Sequence, residues 1–228
     1  MSTATLDAPP EETLEADALD GPPALPRSRD GEPAVEVAAF FPMQGHWTEK
    51  AYFALPDDDG PRCELVKGRL ELLPMPTRWH ESIADYLFER LKARLGRWNA
   101  YGGGYRLRIR ANVPRRPDDF RFPDAMASLD CEGWGEKFAT AATLVAEVVS
   151  GDPRDRERDF EAKRRDYAEA GVPEYWIVDP EARTVTVLAL DGGSYREAGR
   201  YAAGQTAASL AVEGFVVDVD ELLAEPPA

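Results

Sequence analysis

The chain reads as an α/β protein with a central mixed sheet flanked by helices, and three patterns point there. Residues 144–149, Leu-Val-Ala-Glu-Val-Val, form a nearly continuous apolar run of the kind found in a strand buried on both faces. Residues 80–95 place Ile83, Leu87, Leu91 and Leu95 at helical spacing, so one face of a helix is buried there. Along the chain, helical and strand-like patterns follow one another as helix, strands, helix, strands, which suits helices packed on a mixed sheet.

The elements follow in order. Residues 1–36 are rich in Pro, Ala, Asp and Glu and carry few large apolar side chains. Such a segment buries too little surface to offset its ordering entropy, so a disordered acidic tail is expected there, with a folded domain over 37–228. Thr48 is placed to cap a short helix over 49–54 that stops before Pro56. Residues 63–73 alternate on either side of Lys67-Gly68 and read as a hairpin, with Gly68 supplying a positive φ. Gly102-Gly103-Gly104 is a turn, because no helical pattern follows it. Residues 105–109 and 120–129 read as strands. A charged helix is expected over 155–170, capped by Gly171. Strands over 174–178, 184–190 and 195–201 and a short helix over 219–223 complete the domain.

Composition narrows the function. The 228 residues include 43% hydrophobic ones, five Trp and eight Tyr, which is enough for a sizeable core. A net charge of −15 argues against binding nucleic acid or an anionic membrane by bulk charge. It leaves room for a local groove, or for a cation that neutralises clustered carboxylates. Two cysteines, Cys63 and Cys131, with no Cys/His grouping, make a structural zinc site or a disulfide framework unexpected. No stretch reaches the roughly 18 apolar residues of a membrane span, so a cytoplasmic protein without membrane partners is expected.

Glu147 is the most informative residue. A carboxylate inside a buried strand costs roughly several kcal/mol unless it is paired, protonated or bound to a cation. Asp124, in Phe122-Pro123-Asp124-Ala125, stands where another strand turns apolar. Two acids on adjacent strands can hold Mg²⁺ or Mn²⁺ through oxygen, and that cation would activate water against a phosphodiester. Asp159, Lys163, Asp166, Tyr167 and Ala170 share one helix face, from which Lys163 could point back at the acids. The bland readings are plain too. Glu147 could be an acid paired for structure, Asp124 a strand start, Lys163 a solvated helix residue and Glu64 a hairpin charge. His80 could transfer protons or merely sit near a helix N-terminus. The basic residues Arg154, Arg156, Arg158, Lys163, Arg164 and Arg165, interleaved with acids, could contact phosphates or form an ion-paired face. Tyr175 and Trp176 read as core.

These stretches resemble the Uma2 family, within the PD-(D/E)XK restriction-endonuclease-like superfamily. The matching segments are 52–56, Glu64-Leu65-Val66-Lys67-Gly68-Arg69-Leu70, His80, Pro123-Asp124 and 145–150. The most distinctive runs from Asp159 through Lys163 and Tyr167 to Ala170-Gly171-Val172-Pro173-Glu174-Tyr175-Trp176-Ile177-Val178-Asp179-Pro180. The resemblance implies a restriction-endonuclease-like core in which Asp124 and Glu147 bind the metal and Glu64 is an acid near the site. In the superfamily a Lys follows two residues after the second acid. Here Val149 stands there, and the resemblance supplies the Lys from the next helix as Lys163. The implied activity is a Mg²⁺- or Mn²⁺-dependent endodeoxyribonuclease, with DNA as partner and a homodimer as an assembly common to the fold. A nuclease-fold domain that binds nucleic acid or protein without cutting, and a purely structural acid cluster, stay open beside it.

Overall fold

A computed structural model describes residues 44–55, 62–73, 75–110, 117–129, 133–149, 156 and 158–227. The expected acidic tail lies outside these residues, as do Cys131 and Arg154. Helix α1 (Glu49–Phe53) is capped by Thr48, whose side chain accepts from Ala51 N–H. Strands β1 (Cys63–Val66) and β2 (Arg69–Leu72) form the expected hairpin. Both central turn residues, Lys67 at φ 53 and Gly68 at φ 70, adopt positive φ, as a two-residue turn that matches strand twist requires. Helix α2 (Arg78–Leu95) follows, capped by Thr77. Next come β3 (Ala100–Gly102), β4 (Arg106–Ile109), β5 (Asp119–Arg121), β6 (Ala125–Ala127), β7 (Phe138–Ala139) and β8 (Leu144–Val148). A π-helical turn, Arg158–Ala162, leads into α3 (Lys163–Glu169). Then follow β9 (Glu174–Asp179), β10 (Thr184–Asp191), β11 (Ser194–Tyr201), β12 (Thr206–Ala208), β13 (Val216–Asp218) and α4 (Val219–Leu222). No helix among the described residues is long and apolar enough to cross a membrane.

The sheet is divided in two. One sheet runs β2-β1-β5-β4-β7 and the other β11-β10-β9-β8-β6-β3, with β12-β13 as a separate ribbon. Both larger sheets are mixed, through the parallel pairs β4/β7 and β8/β9. The single strand expected over 120–129 is two strands, one in each sheet. Pro123 has no N–H to give a ladder, so pairing breaks there and the chain crosses from one sheet to the other. The missed strands, β3, β7, β12 and β13, span two or three residues each and are too short to show an alternation.

Side-chain alternation then sorts the core. Ala125, Ala127, Leu144, Ala146 and Val148 pack with Ile83, Leu87 and Leu91 of α2. Met126, Val145, Val149 and Ile177 face the other way and pack with Tyr167 of α3. Glu147 is in phase with Val145 and Val149, so it points at α3 rather than α2. Tyr175 and Trp176 are fully buried, as core residues. Gly171, at φ 73, ends α3: its N–H bonds to Ala168 O and that of Val172 to Tyr167 O.

Gly68 is the tightest turn position. A Cβ there would lie 2.9 Å from the carbonyl oxygen of Gly45, and the Gly68 carbonyl accepts from both Gly45 and Trp47 N–H. Gly68→Ala should therefore lose about 1–2 kcal/mol or more in urea unfolding, because a left-handed L-residue is strained even without the close approach. An unchanged midpoint would show that the turn relaxes freely.

Candidate active site at the seam of two sheets

The Phe122-Pro123-Asp124 crossing joins the two sheets and supplies a residue to the site from each side. Arg121, the last residue of β5, is buried between acids. Its Nη1 lies 2.6 Å from Glu64 and 2.8 Å from Glu71, and its Nε and Nη2 lie 2.9 and 2.6 Å from Asp166 of α3. Glu64, fully buried on β1, places its second oxygen on Phe122 N–H at 2.8 Å. Burial alone would raise the Glu64 carboxyl, but the charges of Arg121 and Lys163 and the Phe122 N–H outweigh it and hold it below its ordinary 4.5. Burial likewise opposes the charge on Arg121, yet its acids keep the guanidinium firmly protonated.

Beyond the crossing, Asp124 and Glu147 come from neighbouring strands, since Ala125 of β6 pairs with Ala146 of β8. Glu147 is held from α3. Lys163 Nζ lies 2.7 Å from one carboxylate oxygen and Tyr167 Oη 2.5 Å from the other. Burial and the neighbouring charges of Glu147 and Glu64 push the Tyr167 phenol well above its ordinary value, so it stays protonated and donates. The Lys163 and Glu147 side chains are only 4% and 2% exposed. The shared face read from the helix is real: Lys163, Asp166 and Tyr167 are all buried.

Asp124 is more open to water than Glu147, with its side chain 19% exposed against 2%. Its Oδ2 accepts from Val148 N–H at 2.7 Å and stands 3.3 Å from His80 Nε2. Among the described residues, its Oδ1 takes no hydrogen bond. Burial would raise Asp124, but the His80 hydrogen bond and charge, Lys163 and the Val148 N–H hold it below 3.8. His80 moves the opposite way. Burial favours the neutral ring, and the hydrogen bond and charge of Asp124, with Glu147 and Glu81, overcome it and raise the ring above 6.5.

The structure thus brings the four expected residues, Glu64, Asp124, Glu147 and Lys163, to one seam. It adds Arg121 with its acids Glu71 and Asp166, Tyr167, and His80's contact with Asp124, none of which the sequence places there. Arg121 carried a usable signal, a base between Phe120 and Phe122 in an apolar strand. Of the basic run, Lys163 enters the site, and two other members make structural contacts. Arg156 holds Asp179 at 2.6 Å, and Arg164 donates to the Tyr195 carbonyl.

The donor set suits a hard divalent cation. Of the charged groups joined by these contacts, five carboxylates (Glu64, Glu71, Asp124, Glu147, Asp166) face three bases (Arg121, Lys163, His80), so negative charge is in excess. Asp124, whose side chain is partly exposed, has one oxygen that takes no hydrogen bond among the described residues. No three His, Cys, Asp or Glu side chains converge on one point among the described residues. A cation on Asp124 and Glu147 would complete its shell with water, as Mg²⁺ ordinarily does.

The linkage of the His80–Asp124 pair has a definite sign. The His80 contribution to stability is full below pH 6.5 and is lost as pH rises through the ring's raised folded value. The Asp124 contribution is full above pH 3.8 and is lost as pH falls through its lowered value. NMR titration of His80 should give a value above 6.5 in wild type, and Asp124→Asn should bring it down. An unmoved titration in that variant would remove Asp124 as the cause.

A family model, Uma2, described as "Putative restriction endonuclease", matches residues 50–220. Among solved structures, a "putative nuclease belonging to DUF820" from Anabaena variabilis is similar, with 15% identity over 77% of this chain and 97% of that chain and a TM-score of 0.56. At that identity the likeness bears on the fold, which is restriction-endonuclease-like. No curated protein matches the chain.

Proposed function

The chain belongs to the Uma2 family, and from that premise we propose that it is a Mg²⁺- or Mn²⁺-dependent endonuclease that hydrolyses phosphodiester bonds in DNA. The observation that carries this reading is Lys163 Nζ at 2.7 Å from Glu147, with Asp124 on the adjoining strand. An acid, a second acid and a lysine stand together although Val149 occupies the position that holds the lysine in the superfamily. The lysine reaches the site from α3 instead.

Asp124 and Glu147 would hold the cation. When bound, that cation would lower the pKa of a water nucleophile and stabilise charge developing on the phosphate. The protein's own groups do the rest. Lys163 is a buried ammonium whose proton donors can orient an attacking water or a phosphate oxygen. Tyr167 fixes Glu147 from its other oxygen, which leaves the carboxylate few orientations. Glu64 acts through Arg121 and the Phe122 N–H: both its oxygens are engaged there, so it positions the crossing that carries Asp124. Arg121 ties its own sheet, through β1 and β2, to α3, the helix whose Lys163 holds Glu147 of the second sheet.

Asp124→Ala, Glu147→Ala and Lys163→Ala should each lower Mg²⁺-dependent nicking of supercoiled plasmid by at least about 100-fold, the scale of removing one preorganised group from a reacting centre. Asp124→Ala is the cleanest of the three, because Asp124 is the least buried. Undiminished nicking in that variant would end this reading. DNA binding by wild type without any metal-dependent cleavage would favour a nuclease-fold domain that binds and does not cut.

A further inference from the structure

His80 is the one side chain at the seam that the proposed chemistry leaves unused. It sits in the first turn of α2, where its backbone N–H donates to the Thr77 cap at 3.2 Å. That anchor fixes its ring against the seam. Nε2 faces Asp124 Oδ2 at 3.3 Å, and Nδ1 is buried with no hydrogen-bond partner among the described residues. A neutral imidazole carries one N–H. With nothing for Nδ1 to bond, Nε2 is the nitrogen that gains from holding the proton, and it holds it toward the carboxylate.

We propose that His80 is a positioning residue for the cation site: its Nε2–H and the Val148 N–H together take Asp124 Oδ2 and so leave Oδ1 as the metal-facing oxygen. This rests on the metal-dependent reading above. Three placements support it. Val148 N–H of β8 donates to Asp124 Oδ2 at 2.7 Å, and His80 Nε2 of α2 stands 3.3 Å from the same oxygen, so groups from two different elements meet there. Among the described residues Asp124 Oδ1 takes no hydrogen bond, so the carboxylate is oriented by one oxygen and open at the other. His80 and Asp124, at 18% and 19% side-chain exposure, are also the pair that water can reach, whereas Glu147 and Lys163 are closed off. Partners that orient a ligating carboxylate set its affinity for metal without touching the metal themselves.

The test is Mn²⁺ affinity of the full chain, followed by electron paramagnetic resonance of free Mn²⁺, in wild type, His80→Leu and His80→Gln. Leucine keeps the bulk and removes the donor, and glutamine extends an amide N–H to about the place of Nε2. His80→Leu should weaken Mn²⁺ binding roughly 10- to 100-fold. His80→Gln should recover most of the loss. In plasmid nicking, the kcat of His80→Leu at limiting Mn²⁺ should fall with KM for DNA unmoved, and added Mn²⁺ should restore it. Equal affinity in His80→Leu and wild type overturns the role while leaving the metal site standing. A wild type that binds no Mn²⁺ overturns the metal reading and this role with it. If His80→Leu does not fold, His80→Gln against His80→Asn decides. The shorter amide should bind Mn²⁺ more weakly, and equal binding overturns the role.

Discussion

A carboxylate cannot be left alone in the middle of a buried strand, and the arrangement around Glu147 answers that constraint. Removing one partner of a buried ion pair ordinarily costs about 3–5 kcal/mol, because the remaining charge has neither water nor a counter-ion. Here Lys163 and Tyr167, one helical turn apart on α3, take the two oxygens of Glu147. The position and rotation of α3 are tied to that charge, and Gly171 ends the helix so that the chain can return as β9 beside β8. An apolar residue at position 147 would satisfy the strand equally well. The acid is explained by what it holds, since a buried ion pair is often no more stabilising than well-packed hydrophobic side chains.

Arg121 solves a second problem of the same kind. Two sheets meet where Pro123 interrupts pairing, and a seam without a ladder needs other ties. A planar guanidinium with donors in a fixed fork can bind several carboxylates at once, and Arg121 spans β1, β2 and α3 in this way. The consequence is that Asp124, three residues on, emerges at a fixed place beside the Glu147 strand. Glu64 belongs to this framework, gripping both the guanidinium and the Phe122 N–H. Structural and reactive charges therefore form one network, in which Lys163 also lowers the pKa of both Glu64 and Asp124. Substitutions at Arg121 or Glu64 will disturb the site through the seam rather than through direct contact.

Much of this was legible in the residues themselves. Glu147 announced itself as a charge inside an apolar run, and the i, i+3 and i+4 spacing of Lys163, Asp166 and Tyr167 placed them on one buried face. The Lys67-Gly68 turn and the Gly171 cap were readable because positive φ has few sequence solutions. Other features were hidden for physical reasons. Strands β5 and β6 looked continuous because apolar alternation says nothing about which sheet a strand joins, although Pro123 marked the break. Arg121 would have stood out under the same logic that singled out Glu147. His80 and Asp124 meet only through tertiary packing of α2 on the second sheet, which no local pattern encodes. Strands β12 and β13 are too short for any periodicity.

What unites the seam is an excess of acids over bases among the described residues, arranged around Asp124 and Glu147. On the metal-dependent reading, a divalent cation completes this arrangement. A ligand that binds only the folded state raises the melting temperature with its concentration. The most direct measurement is thermal melting of wild type and Glu147→Gln across a Mg²⁺ titration at constant ionic strength. Wild type should show a saturable rise in Tm that Glu147→Gln abolishes. A wild-type Tm that does not respond to Mg²⁺, or the same rise in both proteins, would contradict it.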